Sequence, residues 1–483
     1  MTKGALPERT SDPARYSLFR RFSPKITAQP QLDRSFVSFQ GNKGIPFFNW
    51  FKFKEGFSAQ LVRYLIEQVK PSRGVLLDPF AGTGVTLFVG RSQGWDAIGI
   101  EVLPVGVYTM ETRLSAEEIK PAAFQRLVES LANTHWADYF DPRFALRHIP
   151  ITEGAFSAET ERAIAGYLAY CRRFVRNPHL RRLLEFGCFA VLESVSYTRK
   201  DGQYLRWDHR AGKPRVGPHF DKGPIPDFDS AIHAKLRDIA NDLAVGGDVN
   251  PAGGDLIDGR NNGRRGYLDL RFGSCLEILP QMRDDSVDLV ITSPPYCNRY
   301  DYTRSYALEL VYLGYDADQV KALRQAMLSC TVENQTKVGQ LAEQYSRPGR
   351  KHAFERVERV FKSQSALQEI LAILERLAAQ GELNNSNIPN MVRNYFFEMC
   401  FVICELSRVL RRGGSIAMVN DNVRYAGEEV PVDLILSDFA ERFGLRVAHI
   451  WTLPRGKGNS SQQMGLHGRS ELRKCVYVWQ KSQ

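Results

Sequence analysis

Long apolar runs are missing from this 483-residue chain, and no stretch approaches the ~18–20 uninterrupted apolar residues of a membrane-spanning helix. The opening residues, MTKGALPERTSDPARYSLFRRFSPK, lack the apolar core and cleavage site of a secretion signal. Cysteine is sparse and unpaired: the eight at 171, 188, 275, 297, 330, 400, 404 and 475 form no CxxC. That spacing fits neither a zinc ribbon nor a disulfide framework and predicts reduced thiols in a cytoplasmic protein. Cys400 and Cys404, one helical turn apart, read as core positions. His135, His148 and His179 lack ligand spacing, so no metal site is expected. There is no internal repeat.

What is present is ordinary globular material, 43% apolar and 24% charged. At ~150 residues per domain the length predicts two or three domains, or one domain with large insertions. The formal charge is +10 and the pI near 9.1, a surplus that suits a polyanionic partner.

The pattern along the chain is interrupted. Residues 1–44 read as an irregular basic arm carrying Arg9, Arg15, Arg20, Arg21 and Lys25. Helical spacing follows in Phe57, Leu61, Val62, Leu65, Ile66 and Val69, with Ser58 as its N-cap. GVLLD (74–78), a glycine turn, a helix and AIGIE (97–101) predict parallel strands of an α/β sheet. Helices then dominate 117–198, and 246–266 reads as a glycine-rich surface loop. Strands resume at LDLRF (268–272) and VDLVI (287–291). A second helical interruption covers about 297–390. YFFEMCFVICELSRVL (395–410) predicts an amphipathic helix stopped by Gly413 and Gly414, followed by strands SIAMV, VAHIW and CVYVW.

Two motifs carry chemistry. DPFAGTG (78–84) ends a strand in an acid and exposes backbone amides at a glycine turn, where a ligand can approach closely. Glu101, at the end of the next strand, stands where a nucleotide-binding fold places an acid for the ribose hydroxyls. The second is TSPPY (292–296), whose consecutive prolines hold the chain extended. Ser293 Oγ and the Pro294 carbonyl can accept from an exocyclic amine, while Tyr296 stacks on the heterocycle bearing it.

Together DPFAGTG and SPPY resemble the amino-group DNA methyltransferases, S-adenosylmethionine-dependent enzymes that methylate cytosine N4 or adenine N6. FFNWFKFKEGFS (47–58) resembles that family's cofactor-carboxylate segment, and RVLRRGGSIAMVNDN (408–422) its helix–glycine–strand unit. The resemblance implies a Rossmann-like α/β core, a mostly parallel seven-stranded sheet, with two largely helical insertions. The core would comprise 45–104, 268–296 and 396–483. Residues 105–267 would form the candidate target-recognition insertion and 297–395 the second.

The resemblance also implies roles. Asp78, Pro79, Phe80, Ala81, Gly82, Thr83, Gly84 and Thr86 would surround the methionine part of the cofactor, and Glu101 would take the ribose. Lys54, Glu55, Gly56 and Phe57 would lie near the carboxylate end. Ser274 and Cys275 stand where the family usually has an acid for the adenine amine. Ser293, Pro294, Pro295 and Tyr296 would hold the flipped base. Attack by the amine is direct, and no cysteine nucleophile is needed; Cys297 is read as incidental. Serine opening SPPY points to cytosine N4, because the resembling N6 enzymes more often carry Asp or Asn there. Adenine N6 remains the alternative, followed by an RNA base methyltransferase and a degenerate nucleic-acid-binding protein.

Double-stranded DNA is the expected partner, with a cognate restriction endonuclease or defence-system proteins beside it, in a prokaryotic, nucleoid-associated setting. Segment 196–223 interleaves Arg199, Lys200, Arg206, Arg210, Lys213, Arg215 and Lys222 with Tyr197, Tyr204 and Trp207, a pattern that can track phosphates and stack on bases. Asn298, Arg299, Tyr300, Asp301 and Arg304 follow SPPY directly and are candidates for contacts near the target base. RPGRKHAFERVERVFK (347–362) reads as a basic helix.

Overall fold

Short apolar runs such as VLLD (75–78) and VDLVIT (287–292) become largely buried strands, and helices cover them. The computed structural model describes residues 13–70, 72–201, 204–213, 220–246, 265–346, 350–453 and 472–482. Arg9, Arg215 and most of the 246–266 loop lie outside them.

In chain order the strands are β1 (Ile26–Ala28), β2 (Val75–Asp78), β3 (Asp96–Glu101), β4 (Thr198–Asp201), β5 (Tyr204–Trp207), β6 (Leu268–Phe272), β7 (Val287–Thr292), β8 (Leu410–Asp421), β9 (Val423–Tyr425), β10 (Glu428–Val430), β11 (Leu445–Thr452) and β12 (Lys474–Lys481). Eight of them form one sheet in the order β1-β11-β12-β8-β7-β2-β3-β6. All pairings are parallel except those of β12, which runs antiparallel to both β8 and β11. The mixed α/β architecture matches a Rossmann-like methyltransferase fold.

Successive side chains along a strand point to opposite faces, and the core divides accordingly. Leu76, Leu289, Ile291, Ala417, Val419, Val476 and Val478 pack with the helices Ala59–Val69 and Val85–Ser92. Leu77, Val290, Ile416, Met418, Tyr477 and Trp479 pack with Ile388–Val409 and Val432–Arg442. Ser58 caps its helix as expected, Oγ accepting from Leu61 N at 3.2 Å. The helices Pro121–Ser130, Ala158–Phe174, Pro178–Val195 and Phe228–Gly246 have a separate apolar core, which Ala307–Tyr312 joins. Cys400 is buried and Cys404 partly so. No helix among the described residues is long and apolar enough to cross a membrane.

Two expectations are corrected. The described part of the basic arm is ordered: Pro13–Phe22 is a helix and Ile26–Ala28 adds an eighth strand beside β11. Two of its cations have internal acidic partners. Arg15 Nε reaches Glu369 at 2.7 Å, and Arg21 reaches Asp438 and Glu441 at 2.7 and 2.8 Å. Gly413 and Gly414 do not stop the preceding helix, which ends at Val409. They form a bulge inside β8: Val287 pairs with Leu410, Leu289 with Ser415, and Gly413 sits at φ 72°.

Candidate active site

Ligands of open α/β sheets bind at the carboxyl ends of the strands, where the strand order reverses. Here that point is β2, with β3 on one side and β7 on the other. β2 delivers Asp78, β3 delivers Glu101, β6 leads into Ser274, and β7 ends at Thr292 before Ser293–Tyr296.

These ends enclose a cleft of about 780 Å³, its open mouth included, within the ~300–1,000 Å³ of small-molecule sites. Its wall contains Glu55, Gly56, Phe57, Asp78, Pro79, Phe80, Ala81, Gly82, Thr83, Thr86, Glu101, Ser274 and Cys275, together with Ser293 and Pro295. The two sequence motifs, more than two hundred residues apart, therefore share one cavity.

The local chemistry is specific. Gly82 and Gly84 take φ 54° and 80°, turning the chain from β2 into the helix Val85–Ser92. A Cβ on Gly82 would lie 3.1 Å from the Phe53 ring. Asp78 Oδ1 accepts from Thr292 Oγ1 at 2.6 Å and from Phe80 N at 3.1 Å, tying β2 to β7. Glu101 accepts from Gly82 N at 2.5 Å and Leu103 N at 2.7 Å, fixing the turn against β3. Burial pushes the Glu101 carboxyl up to about 7 and that of Asp78 up to about 6. Behind the turn, the buried Arg113 donates to the carbonyls of Thr83 and Phe47, with its guanidinium over the Phe48 and Phe88 rings. Burial pulls its pKa down to about 9.

Ser293 Oγ donates to the Tyr296 hydroxyl at 3.3 Å, which leaves its lone pairs able to accept. Pro294 and Tyr296 lie beside the cavity rather than in its wall; Pro294 is buried and Tyr296 partly exposed. Cys297 is fully buried, and burial pushes its thiol up, as for an inert core cysteine.

Several expected residues are placed elsewhere. Gly84 packs against Met110 and Phe88 as the helix cap. Lys54 turns its Nζ to the Lys200 carbonyl, so its charge faces the β4–β5 hairpin and not the cavity. Lys200 is buried and does not face solvent: its Nζ meets Glu309 at 2.5 Å and lies over the Tyr306 and Phe51 rings. An enclosed cation already matched by an acid is not free for phosphate, so Lys200 is withdrawn from the DNA-contact set. Lys222, similarly, donates to the carbonyls of Glu193, Ser194 and Ser196.

Other cations of the set keep some exposure. Arg199 and Tyr204 point outward on the hairpin. Arg206 lies over Phe220, and Lys213 lies 4.0 Å from the Trp207 ring centroid. Arg210 is bidentate on Asp208 at 2.6 and 2.9 Å. Beyond SPPY, Asn298 Oδ1 accepts from Tyr300 N, Arg299 reaches Asn384, Tyr300 OH donates to Glu55, and Arg304 pairs with Asp301 and Glu333.

Sequence reasoning missed Phe53, Tyr302, Met327 and Leu328, all in the cavity wall. Met327 and Leu328 lie in the segment expected to form the second insertion. They are held by a buried cluster in which Ser329 and Lys337 both bond Glu398, Lys337 at 2.9 Å. No local signal marks them.

Comparison with known proteins agrees with this geometry. A family described as DNA methylase matches residues 28–109. The type II methyltransferase M.AvaI of Nostoc sp. is 46% identical over 470 residues, spanning 96% of this chain and 92% of that one. The type II methyltransferase M.BsoBI of Geobacillus stearothermophilus is 37% identical over 487 residues, spanning 97% and 92%. No solved structure matches.

Proposed function

This chain belongs to the amino-group type II DNA methyltransferases, and we propose that it transfers a methyl group from S-adenosylmethionine to cytosine N4 of a base flipped out of duplex DNA. One observation carries this reading: Ser293 and Pro295 stand in the same cavity wall as Asp78–Thr83 and Glu101. A donor held by the first group would present its methyl to an amine held by the second.

The residues fit such a cofactor. The cavity has the right size, an apolar lining from Phe53, Phe57, Phe80, Val85 and Ile100, and carboxylates from Glu55 and Glu101 for cationic and hydroxyl groups. When bound, the cofactor supplies a methyl group on an electron-poor sulfur. The protein's part is to position and polarise. An aromatic amine is a poor nucleophile because its lone pair is delocalised into the ring. Hydrogen bonds donated by the amine to Ser293 Oγ and the Pro294 carbonyl favour a pyramidal nitrogen aimed at the methyl carbon. Tyr296 is oriented by its bond to Ser293 and supplies a face for stacking.

Ser293→Ala is expected to depress single-turnover methyl transfer more than it weakens cofactor or DNA binding, since the hydroxyl matters most as the nitrogen rehybridises. Tyr296→Ala should lose ~1–3 kcal/mol of base stacking, mostly in turnover. Mass spectrometry of nucleosides from a methylated duplex reads the product. Full transfer rates in both variants would remove the assigned site, and N6-methyladenine as sole product would overturn the choice of base.

The raised carboxyl of Glu101 gives a pH test. Ribose hydroxyls donate to the ionised form, which the free protein loses as pH falls through about 7. Cofactor affinity should therefore level off above that pH and weaken below it, by up to about tenfold per unit. Calorimetry at pH 5.5–8 checks this, and a flat profile would put the ribose elsewhere. The exposed cations of the hairpin and the residues after SPPY are the proposed DNA surface. Pairing with an endonuclease of the same specificity belongs to this reading too.

A further inference from the structure

One acid in the cavity wall feels the charge of Lys200 but forms no ion pair with it. Glu55 lines the cleft, partly exposed, and its two oxygens accept from the hydroxyls of Tyr300 and Tyr306, the latter at 2.5 Å. No Lys, Arg or His nitrogen among the described residues comes within ion-pair distance of it. The nearby lysines are committed elsewhere: Lys54 to the Lys200 carbonyl and Lys200 to Glu309. The environment pushes the carboxyl up, chiefly by burial.

The support around it is rigid. Tyr306 is fully buried, its ring stacked on Phe53 with centroids 5.1 Å apart, its hydroxyl accepting from Lys54 N at 3.2 Å. Tyr300 belongs to the segment that follows Tyr296. Two hydroxyl donors occupy part of the carboxylate's capacity of about four lone-pair sites. What remains is an oriented carboxyl group, held in place before any ligand arrives, and a cation set against it would favour its ionised form.

A carboxylate of the ligand set against this anion would be repelled, whereas an ammonium would be stabilised as a charge-assisted pair. We propose that Glu55 is the counter-charge for the α-ammonium of the methionine moiety, and that the ligand's carboxylate points away from it. This replaces the expectation that segment 54–57 meets the carboxylate, and it rests on the cofactor reading above. Because Tyr300 shares the same acid, filling this contact also ties the donor to the segment beside the target base.

Three ligands separate the possibilities in calorimetry on the full chain: S-adenosylhomocysteine, its analogue lacking the α-amino group, and its analogue lacking the α-carboxyl. The wild type should bind the desamino compound roughly 10–100-fold more weakly than the parent, the range of a hydrogen bond to a charged group. Glu55→Gln should weaken the parent and the decarboxylated compound by a similar factor and leave desamino binding unchanged. Equal weakening of all three by the variant, or desamino binding as tight as the parent in the wild type, would overturn the assignment. Should Glu55→Gln fail to fold, the wild-type comparison still overturns the assignment if the desamino compound binds as tightly as the parent. A wild type that binds none of the three would instead defeat the cofactor reading, and this inference with it.

Discussion

Gly82→Leu should reduce binding of S-adenosylhomocysteine by about 100-fold or more, a loss of roughly 2.8 kcal/mol, while the fold persists. A side chain at φ 54° costs ~1–2 kcal/mol in the left-handed region, a cost that a chain with three apolar clusters can absorb. The added Cβ meets the Phe53 ring at 3.1 Å, so the rest of the leucine must displace that ring or enter the cavity. Gly106→Ala should act on the same turn from behind, since its Cβ would lie 2.3 Å from the Gly82 carbonyl oxygen. Gly44→Ala, which has open space, is the neutral control. Calorimetry with circular dichroism measures both quantities. Unchanged affinity in Gly82→Leu would move the cofactor out of this cleft.

Lys200→Met should destabilise the protein by about 3–5 kcal/mol, the cost of leaving Glu309 buried without its cation. Adding Glu309→Leu should restore most of that stability, because two apolar groups need no mutual compensation. The salt dependence of DNA binding should not change in the double variant. Neutralising the exposed Arg199 and the partly exposed Arg206 should flatten it, by about 0.9 of a log unit in slope for each phosphate they neutralise. Denaturant midpoints and binding isotherms at several salt concentrations read the two effects. A flattened slope in the Lys200→Met/Glu309→Leu variant would return Lys200 to the DNA surface.

That contrast shows where the sequence is legible and where it is not. VLLD and VDLVI are readable because a strand buried on both faces is a short continuous apolar run, and the glycines and prolines beyond them mark turns by steric necessity. Most of the cavity wall is named through the resemblance of DPFAGTG and SPPY to the methyltransferase family, and the strand ends bring those residues together. Lys200 misleads because composition counts a lysine as exposed. Only the tertiary packing of Phe51, Tyr306 and Glu309 makes its burial tolerable. Met327 and Leu328 are invisible for a related reason: their place in the wall depends on the path of an insertion and on the Lys337–Glu398 pair beneath it. Glu55 is legible as a residue of this cavity, but spacing does not reveal what neutralises a charge, and so cannot say which end of a ligand it faces. The Ile26–Ala28 strand has too few residues to declare itself without β11 as template.

The pairing of that short strand has a consequence in time. Thr27 lies beside Trp451, so more than four hundred residues must be added after the first partner before the second exists. At ~5–20 residues per second, that interval is roughly twenty to ninety seconds. Throughout it the nascent N-terminal segment has no edge to join, and β11, once made, has an open flank until the segment returns. The part of the sheet that leaves the ribosome first is among the last to be secured, so β1 works as a closing latch on a molecule otherwise already built.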